Sequence, residues 1–186
     1  QFFDRTRARA HESTFFGNGI VGHVTFAHPV CNELGDILEA SCNTVGVKTH
    51  RGGSYVCMEG PAFSTKAESN VYRQWGMDII GMTNLQEAKL AREAEIAYAT
   101  LALVTDYDCW YEGHDDVTAE MVIETLGKNV RNAQLVMKDA VKRVAAKQTP
   151  NQYADAIKNA IFTSPDSWPT VTAKSLEAII GKYSKG

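Results

Sequence analysis

The stretch from Ile96 to Trp110, IAYATLALVTDYDCW, constrains this chain more than any other. Its first part, Ile96 to Val104, is an almost unbroken apolar run with β-branched members, which reads as a buried strand. Its second part turns polar and carries Asp106 and Asp108 at i, i+2, so in extended geometry both carboxylates leave the chain on the same side. In open α/β sheets ligands bind in the crevice outside the carboxyl ends of the strands. The chain therefore sets two acids where small-molecule chemistry is usually done.

The flanking pattern supports an α/β sheet. Gln1 to Thr6 reads as the end of a strand, and Arg7 to Pro29 as a long loop holding Gly17, Gly19, Gly22, His11, His23 and His28. A loop of that length inside a compact domain is usually functional. Leu34, Ile37 and Leu38 stripe a helix over Asn32 to Cys42. Val45 to His50 and Ser54 to Met58 flank Arg51-Gly52-Gly53 and predict a hairpin. Thr65 and Glu68 stand at capping-box spacing for a helix that runs to about Trp75 and stops at Gly76. Asp78 to Met82 is a short strand, and Thr83-Asn84 caps a helix carrying Glu87, Lys89, Arg92 and Glu93. After the polar Tyr111 to Val117, with His114-Asp115-Asp116, Thr118 caps a long helix over Ala119 to Lys147. Its apolar positions include Val122, Leu126, Val130, Leu135, Val141 and Val144, and Thr149-Pro150-Asn151 marks its end. Helices near Tyr153 to Phe162 and Ala173 to Tyr183 close the chain. Strands alternating with helices at this spacing give an α/β fold with a largely parallel or mixed central sheet flanked by helices.

Composition narrows the function classes. The 186 residues suffice for one domain with a sizeable core. A net charge of -3 gives no global reason to expect nucleic acid or an anionic membrane as partner. No apolar run approaches the length that spans a bilayer. The opening Gln1-Phe2-Phe3-Asp4 has no signal-peptide plan and reads as the inside of a domain. Cys31, Cys42, Cys57 and Cys109 include no C-x-x-C pair, which argues against a zinc ribbon and for reduced thiols in the cytoplasm.

Tyr55 to Ser69, YVCMEGPAFSTKAES, closely resembles the EGPxFS[ST][RK]AES segment of the 5'-methylthioadenosine phosphorylases, within the trimeric purine nucleoside phosphorylase group. Gly81-Met82-Thr83-Asn84 and Thr105-Asp106-Tyr107-Asp108-Cys109-Trp110 resemble two further segments of that family, in order and at the right separation. The opening QFFDRT and the TFFG…GHV…HPVC stretch resemble it as well. The resemblance covers about Gln1 to Leu126. It implies a phosphorylase/hydrolase-like fold of which residues 1–186 form the C-terminal portion of a single domain. The family's N-terminal Gly-rich phosphate loop and Arg-His segment are not in this sequence.

The resemblance also implies an activity: phosphorolysis of 5'-methylthioadenosine to adenine and 5-methylthioribose 1-phosphate, a step of methionine and purine salvage. Asp106 then serves the leaving purine at N7, which requires a protonated carboxyl, and Asp108 accepts from the 6-amino group. Those are the catalytic candidates. Phe63 packs on the purine, Ser64 and Thr105 support purine binding, Met82 lies against the ribose, and Val122 lines the apolar pocket. His23 reaches over the 5'-methylthio group of a neighbouring subunit. Thr83 binds phosphate, a role suited to a hydroxyl at a helix N-terminus. The family uses no cofactor and no metal, only inorganic phosphate as co-substrate. The implied partners are 5'-methylthioadenosine or adenine, phosphate, a complementary N-terminal segment, and further copies in a homotrimer or higher multiple. Two alternatives stand beside this: a phosphorylase for another nucleoside such as methylthioinosine, and a non-catalytic fragment that needs the complementary segment.

Overall fold

A computed structural model describes residues 1–7, 13–112, 119–147 and 151–184. The elements in order are β1 (Phe2–Arg5), α1 (Asn32–Val45), β2 (Tyr55–Met58), α2 (Lys66–Gln74), β3 (Ile79–Gly81), α3 (Leu85–Glu93), α4 (Ala119–Ala146), α5 (Thr170–Ser175) and α6 (Glu177–Ile180), with short 3-10 turns at Pro165–Ser167 and Gly181–Tyr183. Backbone contacts divide the chain into two compact units. The first comprises Gln1–Thr6, Asn32–Met82 and Ala99–Gln148; the second comprises Arg7–Cys31, Thr83–Tyr98 and Thr149–Gly186.

The first unit is built on a three-stranded sheet of order β1-β2-β3, parallel throughout. Phe3 pairs with Val56 and Val56 with Ile80, so β2 is central, and its Val56 and Cys57 are fully buried. Parallel neighbours require a crossover, and helices α1 and α2 supply the two crossovers. The α/β class with a sheet flanked by helices is thus the observed one.

The hairpin expected around Arg51-Gly52-Gly53 does not form. Residues 47–50 are not a strand, because β2 takes its partners from β1 and β3. The glycines do turn the chain, at φ +84° and +105°. Arg51, however, reaches back to α1, donating from Nη2 to the Asn32 carbonyl and the Asp36 carboxylate, each at 2.9 Å. Asp78 accepts the Ser54 N–H at 2.7 Å and fixes the entry to β2. The same Arg-Gly-Gly chemistry serves a helix-to-strand connection here.

The run 96–104 is not a strand either. Ile96 is 57% exposed and Val104 58%, and no residue of the run joins a ladder among the described residues. A strand needs a neighbour for its N–H and C=O groups, and apolar sequence alone does not create one. The segment is tied to residues distant in sequence by single hydrogen bonds: Tyr98 C=O accepts the Cys31 N–H at 2.7 Å, and Val104 C=O accepts from Asn129 on α4 at 2.8 Å.

Helix α4 carries the apolar positions expected of it, but buries others. Val136 and Ala140, one turn apart, are buried where α4 packs on α1. Leu126, Val130, Leu135, Val141 and Val144 are 42–61% exposed, because α1 covers a different stripe of the helix. The Thr118 cap, the acidic turn at His114-Asp115-Asp116, and Thr149-Pro150 lie outside the described residues. No helix among the described residues is long and apolar enough to cross a membrane. All four cysteines are free thiols.

The second unit has its own core of Phe16, Ile20, Ile157, Ala160, Leu176 and Ile180. Helix α3 has Asn84 as its N-cap residue, within the Thr83-Asn84 pair the sequence pattern predicts, and the Asn84 N–H donates to the Glu87 carboxylate. The helix expected over Tyr153 to Phe162 is instead a series of i→i+3 turns. The reason is Glu95: its carboxylate takes the Ile157 N–H at 3.1 Å, the donor an α-helix would have given to Tyr153. Glu95 also accepts from Tyr183 Oη at 2.6 Å and pairs with Lys182 at 2.6 Å.

This hub has a predictable alkaline limit. The Glu95 hydrogen bond holds the Lys182 ammonium above its ordinary range, and burial raises the Tyr183 phenol. Both folded-state values lie above the unfolded ones, so both contributions are complete below the ordinary range and are withdrawn as the pH rises past about 10. The urea midpoint should fall between about pH 10 and 12 more steeply in the parent than in Glu95→Gln. Parallel slopes would remove the hub from alkaline stability.

Candidate functional site

The acidic loop 105–112 is held against one face of α2. That helix is fixed at its start by a complete capping box: Glu68 N–H donates to Thr65 Oγ1, and Thr65 N–H donates to the Glu68 carboxylate at 2.8 Å. Such a cap contributes ~1 kcal/mol. The Thr65 amide and then its hydroxyl hold the Glu68 carboxyl below its ordinary range. Residues 66, 69 and 73 follow at spacings of three and four, which puts them on one face. Each takes one residue of the loop. Lys66 pairs with Glu112 at 2.9 Å, and that ammonium keeps the Glu112 carboxyl low. Buried Ser69 donates its hydroxyl to Asp108 Oδ2. The Arg73 guanidinium lies 3.8 Å over the Trp110 ring.

Asp108 is therefore engaged on both oxygens, since its Oδ1 accepts the Cys109 N–H at 2.8 Å. Two donors fix the carboxylate as an acceptor and orient its remaining lone pairs. Asp106 is exposed and accepts the Thr105 hydroxyl at 2.7 Å. The burial that a proton-donor role for Asp106 calls for is not supplied by the described residues.

The glycine-proline turn before α2 joins the same cluster. Ser64 donates to Met58 Sδ at 3.3 Å, and its carbonyl receives the Cys109 thiol at 3.7 Å. Phe63 stands out at 86% exposed. Met82 packs on Gly60 so closely that a Cβ there would fall 2.9 Å from Met82 Sδ. Within the first unit, Phe63, Ser64, Met82, Thr105, Asp106 and Asp108 thus come from three sequence-distant segments tied through α2 and the Gly60 turn. Val122 lies on α4, and its side chain is outside the described residues.

Thr83 and His23 belong to the second unit. Thr83 directly precedes the α3 cap Asn84. His23 is exposed, its ring rests edge-on against Phe162 at 5.4 Å, and its backbone N–H donates to Ala160 C=O at 2.8 Å. Among the described residues no group of three or more His, Cys, Asp or Glu could hold a metal ion.

Residues 3–142 match the family model described as the phosphorylase superfamily. The chain belongs to the phosphorylase superfamily. Within that superfamily it is 58% identical over 98% of its length to the S-methyl-5'-thioadenosine phosphorylase of Thermosynechococcus vestitus and covers 64% of that relative. It is 56% identical to the protein of the same name from a Synechocystis species, of which it covers 56%. Among solved structures, a methylthioadenosine phosphorylase from an Antarctic soil metagenomic library superposes with a TM-score of 0.89 at 47% identity, over 96% of this chain and 63% of that one. A Schistosoma mansoni methylthioadenosine phosphorylase in complex with adenine superposes at 0.79 and 30% identity, over 87% of this chain and 64% of that one. The chain spans roughly 60% of the length of these superfamily relatives.

Ser69 is the residue that sequence reasoning passed over. Its signal was available: it stands three residues after Lys66 and four before Arg73, on the face toward which the acidic loop turns.

Proposed function

We propose that the protein carrying this chain phosphorolyses 5'-methylthioadenosine, releasing adenine and 5-methylthioribose 1-phosphate. The observation that carries the reading is the doubly anchored Asp108 beside Asp106, in a chain that matches relatives bearing that name along 98% of its length. The chemical barrier is rupture of the N-glycosidic bond. The ribosyl carbon becomes cationic while negative charge builds on the purine. Asp106 serves that charge at N7, as hydrogen-bond or proton donor. Asp108 accepts from the 6-amino group; a 6-oxo purine would face it with a second acceptor, which favours adenine over hypoxanthine. Phe63 and Ser64 act on the purine with Thr105 bracing the loop, and Met82 lies under the ribose. Thr83 contributes to phosphate binding at the start of α3, and Val122 lines the pocket of the 5' group. His23 covers the 5'-methylthio group bound by a neighbouring copy, in a trimer or a multiple of it. The working compartment is the cytoplasm.

The test is phosphate-dependent release of adenine from 5'-methylthioadenosine by the complete protein. Turnover that requires phosphate is the expected result; faster turnover of methylthioinosine would overturn the adenine assignment. The same assay on the 186-residue chain alone, then with the N-terminal segment its relatives carry, separates catalysis by this chain from a purely complementing role.

A further inference from the structure

We infer that Arg92 and Glu93, adjacent at the end of α3, are positioning residues that set where His23 is presented. Both are charged, and both are only 6% exposed. Charges are rarely buried this deeply unless their partners are specific. Among the described residues their side-chain hydrogen-bond partners belong to the loop that carries His23. Glu93 accepts the Thr14 hydroxyl and the Phe15 N–H, each at 2.6 Å. Arg92 donates to the Thr25 and His28 carbonyls, each at 2.6 Å, with its guanidinium 4.4 Å over the Tyr153 ring.

Consecutive helix residues point about 100° apart. The two side chains therefore diverge and seize opposite ends of the loop, one at 14–15 and the other at 25–28. The middle is held separately. Gly17 and Ile20 close a tight turn, Val21 C=O accepts the Phe162 N–H, and the His23 N–H goes to Ala160. Every stretch of the loop between 14 and 28 is thus pinned at short intervals, and the His23 ring is left exposed against Phe162. The arrangement holds an imidazole ready outside the unit that carries it, with little freedom to lose on meeting a substrate.

The inference rests on the proposed role of His23 toward the 5' substituent, so its test has one arm that needs that role and one that does not. In the complete protein, Glu93→Gln, Arg92→Lys and Thr14→Val keep size while weakening the clamp. Each should raise KM for 5'-methylthioadenosine about tenfold, leave kcat within about twofold, and move KM for adenosine much less. The double variant Glu93→Gln/Thr14→Val should be no worse than its more severe single, because both remove one shared contact. The second arm reads the His23 imidazole C–H resonances, which sense the Phe162 ring; they should shift or broaden in all three variants. A uniform loss of kcat on both substrates with unchanged KM values, or His23 resonances that stay in place, overturns the inference. A parent that never turns over 5'-methylthioadenosine overturns the functional reading instead and leaves the resonance arm to decide the clamp.

Discussion

Asp106→Asn is expected to lower kcat for 5'-methylthioadenosine by roughly 10²–10⁴-fold, the usual worth of a positioned acid or base. The asparagine amide has nearly the same shape, keeps a donor for a purine nitrogen, and retains an acceptor for the Thr105 hydroxyl that Asp106 engages at 2.7 Å. It cannot transfer a proton. Adenine affinity should accordingly change only a few-fold while the chemical step collapses, a pattern in which kcat and kcat/KM fall together. Steady-state rates beside a direct adenine titration make the comparison. A kcat within twofold of the parent would take Asp106 out of the proton-donor role and leave it at most a hydrogen bond to the purine that asparagine also makes.

The second large effect concerns Asp108. Replacing it by asparagine leaves an amide whose orientation either base can satisfy. The ratio of kcat/KM for 5'-methylthioadenosine over methylthioinosine should drop about 10²–10³-fold, mostly through loss on the adenine nucleoside. Ser69→Ala should move the same ratio by about tenfold, since it removes one of two donors that orient the carboxylate and leaves the Cys109 N–H in place. The graded pair separates charge from orientation. A ratio that stays constant in both variants would show that the carboxylate does not read the 6-position.

Local chemistry was legible in the sequence, and partnership was not. The Thr65–Glu68 box and the Asn84 cap position each rest on residues within four of one another, so pattern alone predicts them. The two acids and the Phe63-Ser64 turn were also visible as candidates. The run 96–104 was misread because a strand is a relation between two backbones, and hydrophobicity reports only one. Arg51-Gly52-Gly53 has turn chemistry in either connection; the deciding contact is Arg51 to Asn32 and Asp36, some fifteen to nineteen residues back. The turns at 153–160 follow from Glu95, about sixty residues upstream, taking an amide that local periodicity assigns to a helix. In the last two cases the deciding group lies too far along the chain for periodicity to register it.

The single face of α2 that carries Lys66, Ser69 and Arg73 has a consequence for how this protein can change over generations. Substitutions on the opposite face leave the acidic loop where it is. An insertion or deletion of one residue between Lys66 and Arg73 is another matter, because it rotates everything beyond it by about 100° around the helix axis. Arg73 would swing away from Trp110, and either Lys66 or Ser69 would lose register with it. Descendants of this sequence are therefore free to vary the opposite face of α2 in letter, but not the helix in length.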